Sequence, residues 1–389
     1  MDNKKIIFYW APFLVPIATE RAVINSAYSL QKFSSIFKCF IINFFGEYNN
    51  SKNELVGKNI SIINFYSSLI IKYLPKHGKI KSRFSFLVIF FLSFVPLKRL
   101  IEREKPDFLI IHLISSLPLI LLIFFNFNTK FILRISGVPK LNFFRKALWK
   151  LISKKIYLVT CPTFTTLNYL ISLNIFDIKK LKVLYDPIIN VKEKSKLIRN
   201  DKKFSSSDYS NFFLAAGRLT TQKNFLFLCQ AFSKILLKYP DNKLIIAGEG
   251  EQKIEITKFI KKRLLEDKII LIGHVDNLYS YMKNAKCFIL SSLWEDPGFV
   301  LVEAAFCRTP VISSNCLSGP KEIIKNRYNG ILFESNNMIN FIEQFEFFLN
   351  SKDDKNFWIY NNLKSVKNFT LFNHFSNFNK LLNAKHEKY

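Results

Sequence analysis

The chain has 389 residues, 49% of them apolar, and its 57 Lys and Arg against 29 Asp and Glu give a formal net charge of +28. This balance excludes an intrinsically disordered protein, because disorder requires low hydrophobicity together with high charge. The length predicts two or three domains, each with its own core.

Short apolar runs alternate with helix-length stretches from the first residues onward. This alternation predicts parallel β-sheets covered by helices on both faces. In the first half of the chain the pattern predicts helices at 19–33 and 142–154 and strands at 5–10, 39–45, 61–65, 108–113, 131–135, 157–160 and 183–185.

The longest apolar segments predict buried core rather than membrane-spanning helices. The N-terminal apolar run is too short for a signal peptide, so none is expected. Residues 84–97 are too few to cross a hydrocarbon core of ~30 Å. Residues 108–127 are interrupted by a Ser-Ser-Leu-Pro turn, which favours a strand (108–113) followed by a buried helix (119–125).

Residues 72–104 leave two interpretations open. Basic side chains are concentrated just before the apolar 84–97 stretch, at Lys72, Lys76, Lys79, Lys81 and Arg83. Basic residues beside an apolar element are typical of peripheral membrane proteins, in which each contributes about 1 kcal/mol near anionic lipid. A solvated loop followed by a core helix fits the same pattern equally well.

A charged, Ser-rich stretch at 190–210 predicts a linker between an N-terminal domain (1–189) and a C-terminal domain (211–370). After it the alternation restarts, with predicted strands at 212–216, 244–247, 269–272, 288–290, 311–313 and 331–333. The tail from residue 341 predicts helices, the last of which (371–389) is expected to pack back on the N-terminal domain. The predicted fold is therefore α/β, with two doubly wound, Rossmann-like domains facing across a cleft that is the expected ligand site.

The positive charge is concentrated in the N-terminal half. Residues 1–190 carry 27 basic and 9 acidic side chains, whereas residues 191–389 carry 30 and 20. Such a surplus favours polyanionic partners, namely nucleic acid, an anionic membrane or phosphorylated ligands. A genome whose codons favour Lys, Asn, Ile and Phe accounts for part of the excess but not for its asymmetry.

Cysteine and histidine spacing predicts neither disulfides nor a metal site. The six cysteines are scattered without a CxxC pair, which indicates reduced buried thiols. The five histidines show no paired spacing.

The stretch GRLTTQKN (217–224) follows a predicted strand and precedes a predicted helix. Gly217 permits close backbone approach, and Arg218 and Lys223 can neutralise the oxygens of a diphosphate. Taken alone, two cations in a strand-to-helix loop fit a solvated surface equally well. The next strand ends in AGEGE, with Gly248 and a second Gly two residues later, and the missing third Gly argues against NAD.

The stretch SSLWEDPGFVLVEAAF (291–306) places two carboxylates around a predicted helix start. Glu295 lies in the loop and Glu303 in the second turn, while the free amides of Gly298, Phe299 and Val300 lie at the positive N-terminus. A carboxylate there can accept two hydroxyls of a ribose or hexose, and the amides can hold a phosphate. A capped surface helix with an incidental Glu is the alternative interpretation.

In this order and spacing, and together with IGHV (272–275) and SGPKEII (318–324), these stretches resemble the C-terminal half of family-4 glycosyltransferases of the GT-B fold. The resemblance covers about 211–335 well. It continues more weakly through WAPF, RISGVPK, TCPT and LYDP in the first half, which look like a bacterial polysaccharide-type subgroup. The family often has a Gly-Gly loop after the first strand, and WAPFLVPIATE has no Gly, so the acceptor contacts of that loop stay unassigned.

The resemblance implies roles for the candidate residues. Arg218 and Lys223 bind the donor diphosphate, Glu303 binds the ribose, and Glu295 contacts the donor sugar as a catalytic residue. The other implied donor-binding positions are Gly217, Gly248, Gly273, His274, Gly298, Phe299 and Val300. His112, at the end of a predicted strand, corresponds to a catalytic His that faces the donor sugar, although a satisfied core or surface His fits the local sequence equally well.

The predicted protein is a metal-independent hexosyltransferase without a cofactor. It moves a sugar, with retention, from a nucleotide-diphosphate donor to a glycan or polyprenyl-diphosphate-linked acceptor in O-antigen, capsule or exopolysaccharide biosynthesis. We expect it in the cytoplasm, peripheral at the inner face of the plasma membrane, and without a nucleic-acid partner because no recognised module for one occurs. The alternatives are a catalytically degenerate GT-B subunit and a membrane-associated scaffold without transferase activity.

Overall fold

The computed structural model describes residues 4–13, 18–66, 79–199, 211–351 and 354–384. The chain forms two compact units. The first consists of Met1–Pro187 together with Leu371–Tyr389, and the second consists of Ile188–Thr370.

The first unit contains a parallel sheet of seven strands in the order β3-β2-β1-β4-β5-β6-β7. The strands are β1 Lys5–Trp10, β2 Phe37–Asn43, β3 Ser61–Asn64, β4 Phe108–Ile111, β5 Lys130–Arg134, β6 Leu158–Cys161 and β7 Leu181–Val183. Its helices are α1 Ala18–Phe33, α2 Lys52–Gly57, α3 Lys79–Glu104, α4 Ser116–Phe124, α5 Phe143–Ile152, α6 Phe164–Ser172 and the last helix of the chain, α15 Leu371–Asn383. The central strands are buried on both faces, as expected for apolar runs in a parallel sheet.

Two helical layers cover this sheet. Helices α3, α4, α5 and α6 contribute to one apolar core. Helices α1 and α15 contribute to the core on the other face, and they pack against each other. The last helix is thus an integral part of the first unit.

The second unit contains a parallel sheet of six strands in the order β10-β9-β8-β11-β12-β13. The strands are β8 Phe212–Ala216, β9 Lys243–Ala247, β10 Ile269–Gly273, β11 Cys287–Leu290, β12 Val311–Ser314 and β13 Ile331–Phe333. Its helices are α7 Val191–Arg199, α8 Phe225–Lys238, α9 Lys253–Lys262, α10 Leu278–Asn284, α11 Phe299–Phe306, α12 Pro320–Ile323, α13 Met338–Asn350 and α14 Asp354–Val366. Phenylalanines fill much of its core, and the ring centroids of Phe213 and Phe345 lie 4.6 Å apart.

The predicted pair of doubly wound α/β domains is confirmed by these two sheets. The predicted linker at 190–210 is corrected in part, because Val191–Arg199 form helix α7 of the second unit. Contacts within that unit explain the helix: Asn277 donates a 2.9 Å hydrogen bond to the carbonyl of Leu197, and the ammonium of Lys194 lies 4.7 Å from the ring centroid of Tyr279. The remainder of the predicted linker, 200–210, lies outside the described residues.

The apolar 108–127 segment folds as a strand and a helix, as predicted, and belongs to the core of the first unit. Among the described residues, no helix combines the length and the apolar character needed to cross a bilayer. Of the predicted 72–104 region, residues 79–104 form helix α3, and residues 72–78 lie outside the described ranges.

Candidate functional site

Three neighbouring strands of the second sheet end in glycine. Gly217 follows β8, Gly248 follows β9 and Gly273 ends β10. A Cβ on Gly248 would lie 1.8 Å from the carbonyl oxygen of Gly217, so only glycine permits this approach of the two loops. The amide of Gly248 donates a 2.7 Å hydrogen bond to the carbonyl of Gly273. The carboxyl edge of the sheet therefore has a floor of closely packed backbone.

Lys223 and Glu295 form an enclosed ion pair at this edge. The Lys223 Nζ lies 2.5 Å from the Glu295 Oε1, and the two side chains are only 16% and 6% exposed. Ser292 donates a 2.6 Å hydrogen bond to the same carboxylate oxygen. A Cβ on Gly217 would lie 3.3 Å from the Lys223 Cε, so the lysine stem lies directly over this glycine. The structure thus joins Gly217, Lys223 and Glu295 in one cluster.

Two further hydrogen bonds hold the loops that carry this ion pair. The Ser291 hydroxyl donates to the carbonyl of Lys223 at 2.8 Å, and the Gln222 amide donates to the carbonyl of Trp294 at 2.9 Å. The loop after β8 and the loop after β11 are therefore fixed to each other, which is the rigidity that a charge-binding site needs.

Helix α11 begins immediately after these residues. Gly298 precedes it with a left-handed backbone (φ 88°), and Phe299 and Val300 form its first turn. Backbone amides in a first turn lack intrahelical acceptors, and the helix dipole is positive there. The binding of negative charge at this end of the helix stays a prediction.

Glu303 lies in the second turn of α11 and is partly buried. The Tyr279 hydroxyl donates a 2.8 Å hydrogen bond to its Oε1, and Lys194 stacks on the ring of Tyr279. The carboxylate is thereby held in one orientation by the tyrosine hydroxyl. The implied ribose-binding role of Glu303 stays a prediction.

Arg218 and His274 are exposed loop residues of the second unit. Arg218 is the next residue after Gly217, which belongs to the Lys223 cluster. His274 follows Gly273 at the end of β10. Their predicted contacts with a donor diphosphate and base stay predictions.

His112 lies in the first unit, directly after β4. Its amide donates a 2.9 Å hydrogen bond to the carbonyl of Trp10, and its ring borders a cavity of about 10 Å³, roughly the size of one water. Desolvation lowers the pKa of His112 well below its usual value, and the positive charge of Arg134 and the His374 ring add to this shift. A neutral imidazole can accept a hydrogen bond from a sugar hydroxyl. The implied role of His112 beside the donor sugar stays a prediction.

Several residues of these clusters were not predicted. Tyr279 and Ser292 make the contacts that orient Glu303 and Glu295, and Gly319 packs so tightly that a Cβ there would lie 2.0 Å from the carbonyl oxygen of Pro297. The Ser291-Ser292 pair at the end of an apolar strand was a usable signal for the second contact. No local pattern marks Tyr279, because its partner lies on another helix. Over the described ranges, no group of three or more potential ligand side chains is placed to hold a metal ion.

The geometry of this edge is thus a paired lysine and glutamate beside a glycine floor, with a second carboxylate on the adjoining helix. Residues 198–365, which include these clusters, match the family model described as glycosyl transferases group 1.

The relatives include an uncharacterized glycosyltransferase of Methanocaldococcus jannaschii, which is 32% identical over 58% of this chain and 60% of the relative. A second is an α-1,4-N-acetylgalactosaminyltransferase of Campylobacter jejuni that acts on an undecaprenol-diphosphate-linked sugar. It is 26% identical over 77% of this chain and 82% of the relative. The chain thus spans about 60% of the length of the archaeal relative. Both comparisons support a transferase.

Solved structures show the same fold along the whole chain. A glycosyltransferase from Rickettsia africae superposes with a TM-score of 0.74 at 19% identity, covering 98% of each chain. HepE from Anabaena, in complex with UDP and glucose, superposes with a TM-score of 0.69 at 15% identity, covering 97% of this chain and 99% of that one. At these identities the likeness concerns the fold alone.

Proposed function

We propose that the protein is a retaining glycosyltransferase of the GT-B type, family 4. It transfers a hexose from a nucleoside-diphosphate sugar to a glycan or polyprenyl-diphosphate-linked acceptor in cell-surface polysaccharide biosynthesis. The observation that carries the proposal is the enclosed Lys223–Glu295 pair over Gly217, beside the start of the helix that carries Glu303. The match of residues 198–365 to glycosyl transferases group 1 supports it.

The cluster accounts for the binding of a donor. Glu303, oriented by Tyr279, accepts the two hydroxyls of the ribose. Arg218 and Lys223 offset the negative charge of the diphosphate, and the amides of Phe299 and Val300 add the positive end of a helix dipole. Glu295, held by Lys223 and Ser292, is left to contact the hydroxyls of the sugar.

In the proposed reaction the bond between the anomeric carbon and the donor phosphate oxygen breaks, and a bond from the acceptor hydroxyl forms on the same face of the sugar. The acceptor proton moves to an oxygen of the departing nucleoside diphosphate. Arg218 and Lys223 stabilise the negative charge that develops on that group, and a neutral His112 accepts a hydrogen bond from the sugar. With two cations at the diphosphate, we propose that the reaction requires no metal and no cofactor.

Related proteins support the choice of substrates. HepE binds UDP-glucose in its crystal structure. An Escherichia coli relative is a galactosyltransferase that uses UDP-galactose and a diphosphoundecaprenol-linked acceptor. We therefore propose a cytoplasmic enzyme that reaches a lipid-linked acceptor from the inner face of the plasma membrane.

A panel of UDP-, GDP-, ADP- and TDP-sugars tests the proposal through donor binding and slow hydrolysis. One donor should bind, and its transfer should persist in EDTA. Arg218→Ala should weaken the binding of that donor without changing the fold, and NMR of the product should show the anomeric configuration of the donor. If no donor binds, the chain is a degenerate subunit; an inverted product would contradict the retaining mechanism.

A further inference from the structure

Large apolar side chains project into solvent from helices α3 and α5 of the first unit. Leu87 and Phe91 of α3 are 56% and 72% exposed, and Phe143 and Phe144 of α5 are 79% and 80% exposed. The rings of Phe143 and Phe144 contact each other with their centroids 5.9 Å apart. Single exposed apolar residues are ordinary on a protein surface, whereas a group of exposed phenylalanines is typical of a surface that binds a protein, a membrane or a ligand.

Helix α3 is apolar on two faces, and only one of them is used by the fold. Ile89 and Leu97 face the core, whereas Leu87, Phe91 and Val95 recur every fourth residue on the exposed side. The core therefore explains only the inner stripe. The outer stripe stays exposed, and the Phe91 ring contacts that of the adjacent Phe90 with the centroids 5.5 Å apart.

The exposed residues of α3 and α5 lie in one helical layer. Helix α3 packs against α4, which packs against α5, and all three share one core. Both α3 and α5 lead into a parallel strand and so end at the amino edge of the sheet. Because a helix rises 1.5 Å per residue, Phe91 lies about 20 Å from the C-terminal end of α3, and Phe143 lies about 14 Å from the C-terminal end of α5. Both residues therefore lie toward the carboxyl edge of the sheet.

This layer is strongly basic. The sequence has no Asp or Glu between Asp107 and Asp177. On α5 the phenylalanines are followed by three exposed cations, Arg145, Lys146 and Lys150. Within the part of the chain that the structure describes, none of these three forms an ion pair.

We propose that Leu87, Phe91, Phe143, Phe144, Arg145 and Lys146 form a docking surface for an anionic lipid bilayer. Phenylalanine rings insert at the boundary between headgroups and acyl chains, and adjacent cations pair with lipid phosphates. Charge complementarity favours this occupant over a second copy of the chain, whose equally basic surface would be repelled. The docking surface deepens the proposed function, and it rests on that function only for the lipid-linked acceptor. The surface lies toward the same sheet edge as His112, and the proposed function needs the acceptor at that edge.

Vesicle co-sedimentation tests the docking surface independently of any sugar. The full chain should sediment with vesicles of phosphatidylglycerol and phosphatidylcholine, and binding should fall with pure phosphatidylcholine or in high salt. The variant Phe91→Glu/Phe143→Glu/Phe144→Glu should lower the partition coefficient at least about tenfold. Arg145→Glu/Lys146→Glu should lower binding to the anionic vesicles only.

Controls separate this surface from a general effect of charge. The matched variant Leu237→Glu/Ile339→Glu changes equally exposed apolar residues of the second unit and should bind vesicles as the unchanged chain does. Donor binding without vesicles should be the same in all variants, so a failure of the proposed function is measured separately. The docking surface is overturned if the unchanged chain stays in the supernatant with every lipid, if the triple variant binds equally well, or if the triple variant only dissociates a dimer.

Discussion

Lys223 and Glu295 form an enclosed ion pair in the candidate site. Both side chains are largely removed from water, and the Ser292 hydroxyl donates a further hydrogen bond to the carboxylate. Removing one member of such a pair leaves an uncompensated charge, whereas removing both charges together is often nearly neutral. Stability and activity can therefore be separated at this pair.

We expect Lys223→Met to lower the free energy of unfolding by about 3 kcal/mol, because the Glu295 carboxylate stays without its cation. The double variant Lys223→Met/Glu295→Gln should recover most of this loss and still show no sugar transfer. Urea unfolding and a transfer assay measure the two effects. A double variant that regained activity together with stability would show that the pair is purely structural.

Tyr279 is a positioning residue, because its hydroxyl binds the carboxylate of Glu303 and would not itself contact the sugar donor. Removal of that hydroxyl in Tyr279→Phe should cost about 1 kcal/mol of donor binding, since one hydrogen bond to a charged group is lost. We expect KM for the donor to rise about fivefold with kcat retained. The exposed Tyr360→Phe is a matched control, and an equal effect of both variants would contradict the positioning role.

At the scale of elements, helix α3 shows how a proline is accommodated inside a helix. Pro96 has no backbone N–H, so the carbonyl of Leu92 lacks its usual intrahelical donor. The Tyr66 hydroxyl donates a 3.1 Å hydrogen bond to that carbonyl. The helix can therefore continue through the proline and present its exposed stripe in one piece.

Helix α15 is joined to the first unit through a buried histidine. The His374 Nε2 lies 2.9 Å from the Ser26 hydroxyl, and its Nδ1 lies 2.7 Å from the carbonyl oxygen of Tyr185. Burial lowers the pKa of His374 to about 3, with the Tyr185 carbonyl opposing this shift and Arg134 adding to it. The ring is therefore neutral in the folded protein. Tyr9, His112 and the Arg134–Asp186 pair complete its polar surroundings.

This histidine makes the first unit sensitive to acid. Its pKa is lower in the folded state than in the unfolded state, so its contribution is fully present above about pH 6.5 and is lost as the pH falls toward 3, at about 1.4 kcal/mol per pH unit. His374→Gln should make urea unfolding of the first unit less dependent on pH between about pH 7 and pH 5. The pKa of His112 shifts in the same direction, whereas burial raises the pKa of Glu47 to about 7, so this carboxyl group contributes the opposite pH dependence to the first unit. An unchanged slope in the variant would contradict this assignment.

The elements were predictable wherever their apolar side chains are buried by the sheet itself. Strands β8 and β13 have the predicted bounds because each is an apolar run that ends in a turn or a polar residue. Helix α7 was missed because its sequence is mostly charged, and it is held by contacts with Tyr279 and Asn277, which lie far away in the sequence. The candidate site shows the same difference between local patterns and long-range contacts. Lys223 and Glu295 lie in loops that a sequence pattern marks, whereas Tyr279 acts through a contact between two helices.

At the scale of the whole molecule, chain order and structural units do not coincide. The chain leaves the first unit after Pro187, forms the second unit, and returns at Leu371 to complete the first. The returning helix places Phe378 and Leu382 in the core of the first unit, each 2% exposed. Burial of such side chains contributes about 2 kcal/mol each, so the last helix is a substantial part of the stability of the first unit.

A chain that ends at Thr370 tests this division. It should lose several kcal/mol of stability in the first unit, because Phe378, Leu382 and the bonds of His374 are removed together, while the second unit keeps all of its strands. We therefore expect limited proteolysis to cut within 1–187 and to leave the 188–370 region protected, with donor binding retained and transfer lost. A matched chain that ends at Asn383 keeps α15 and should behave as the full chain does. Equal proteolysis of both units in the shorter chain would mean that they unfold as one cooperative body.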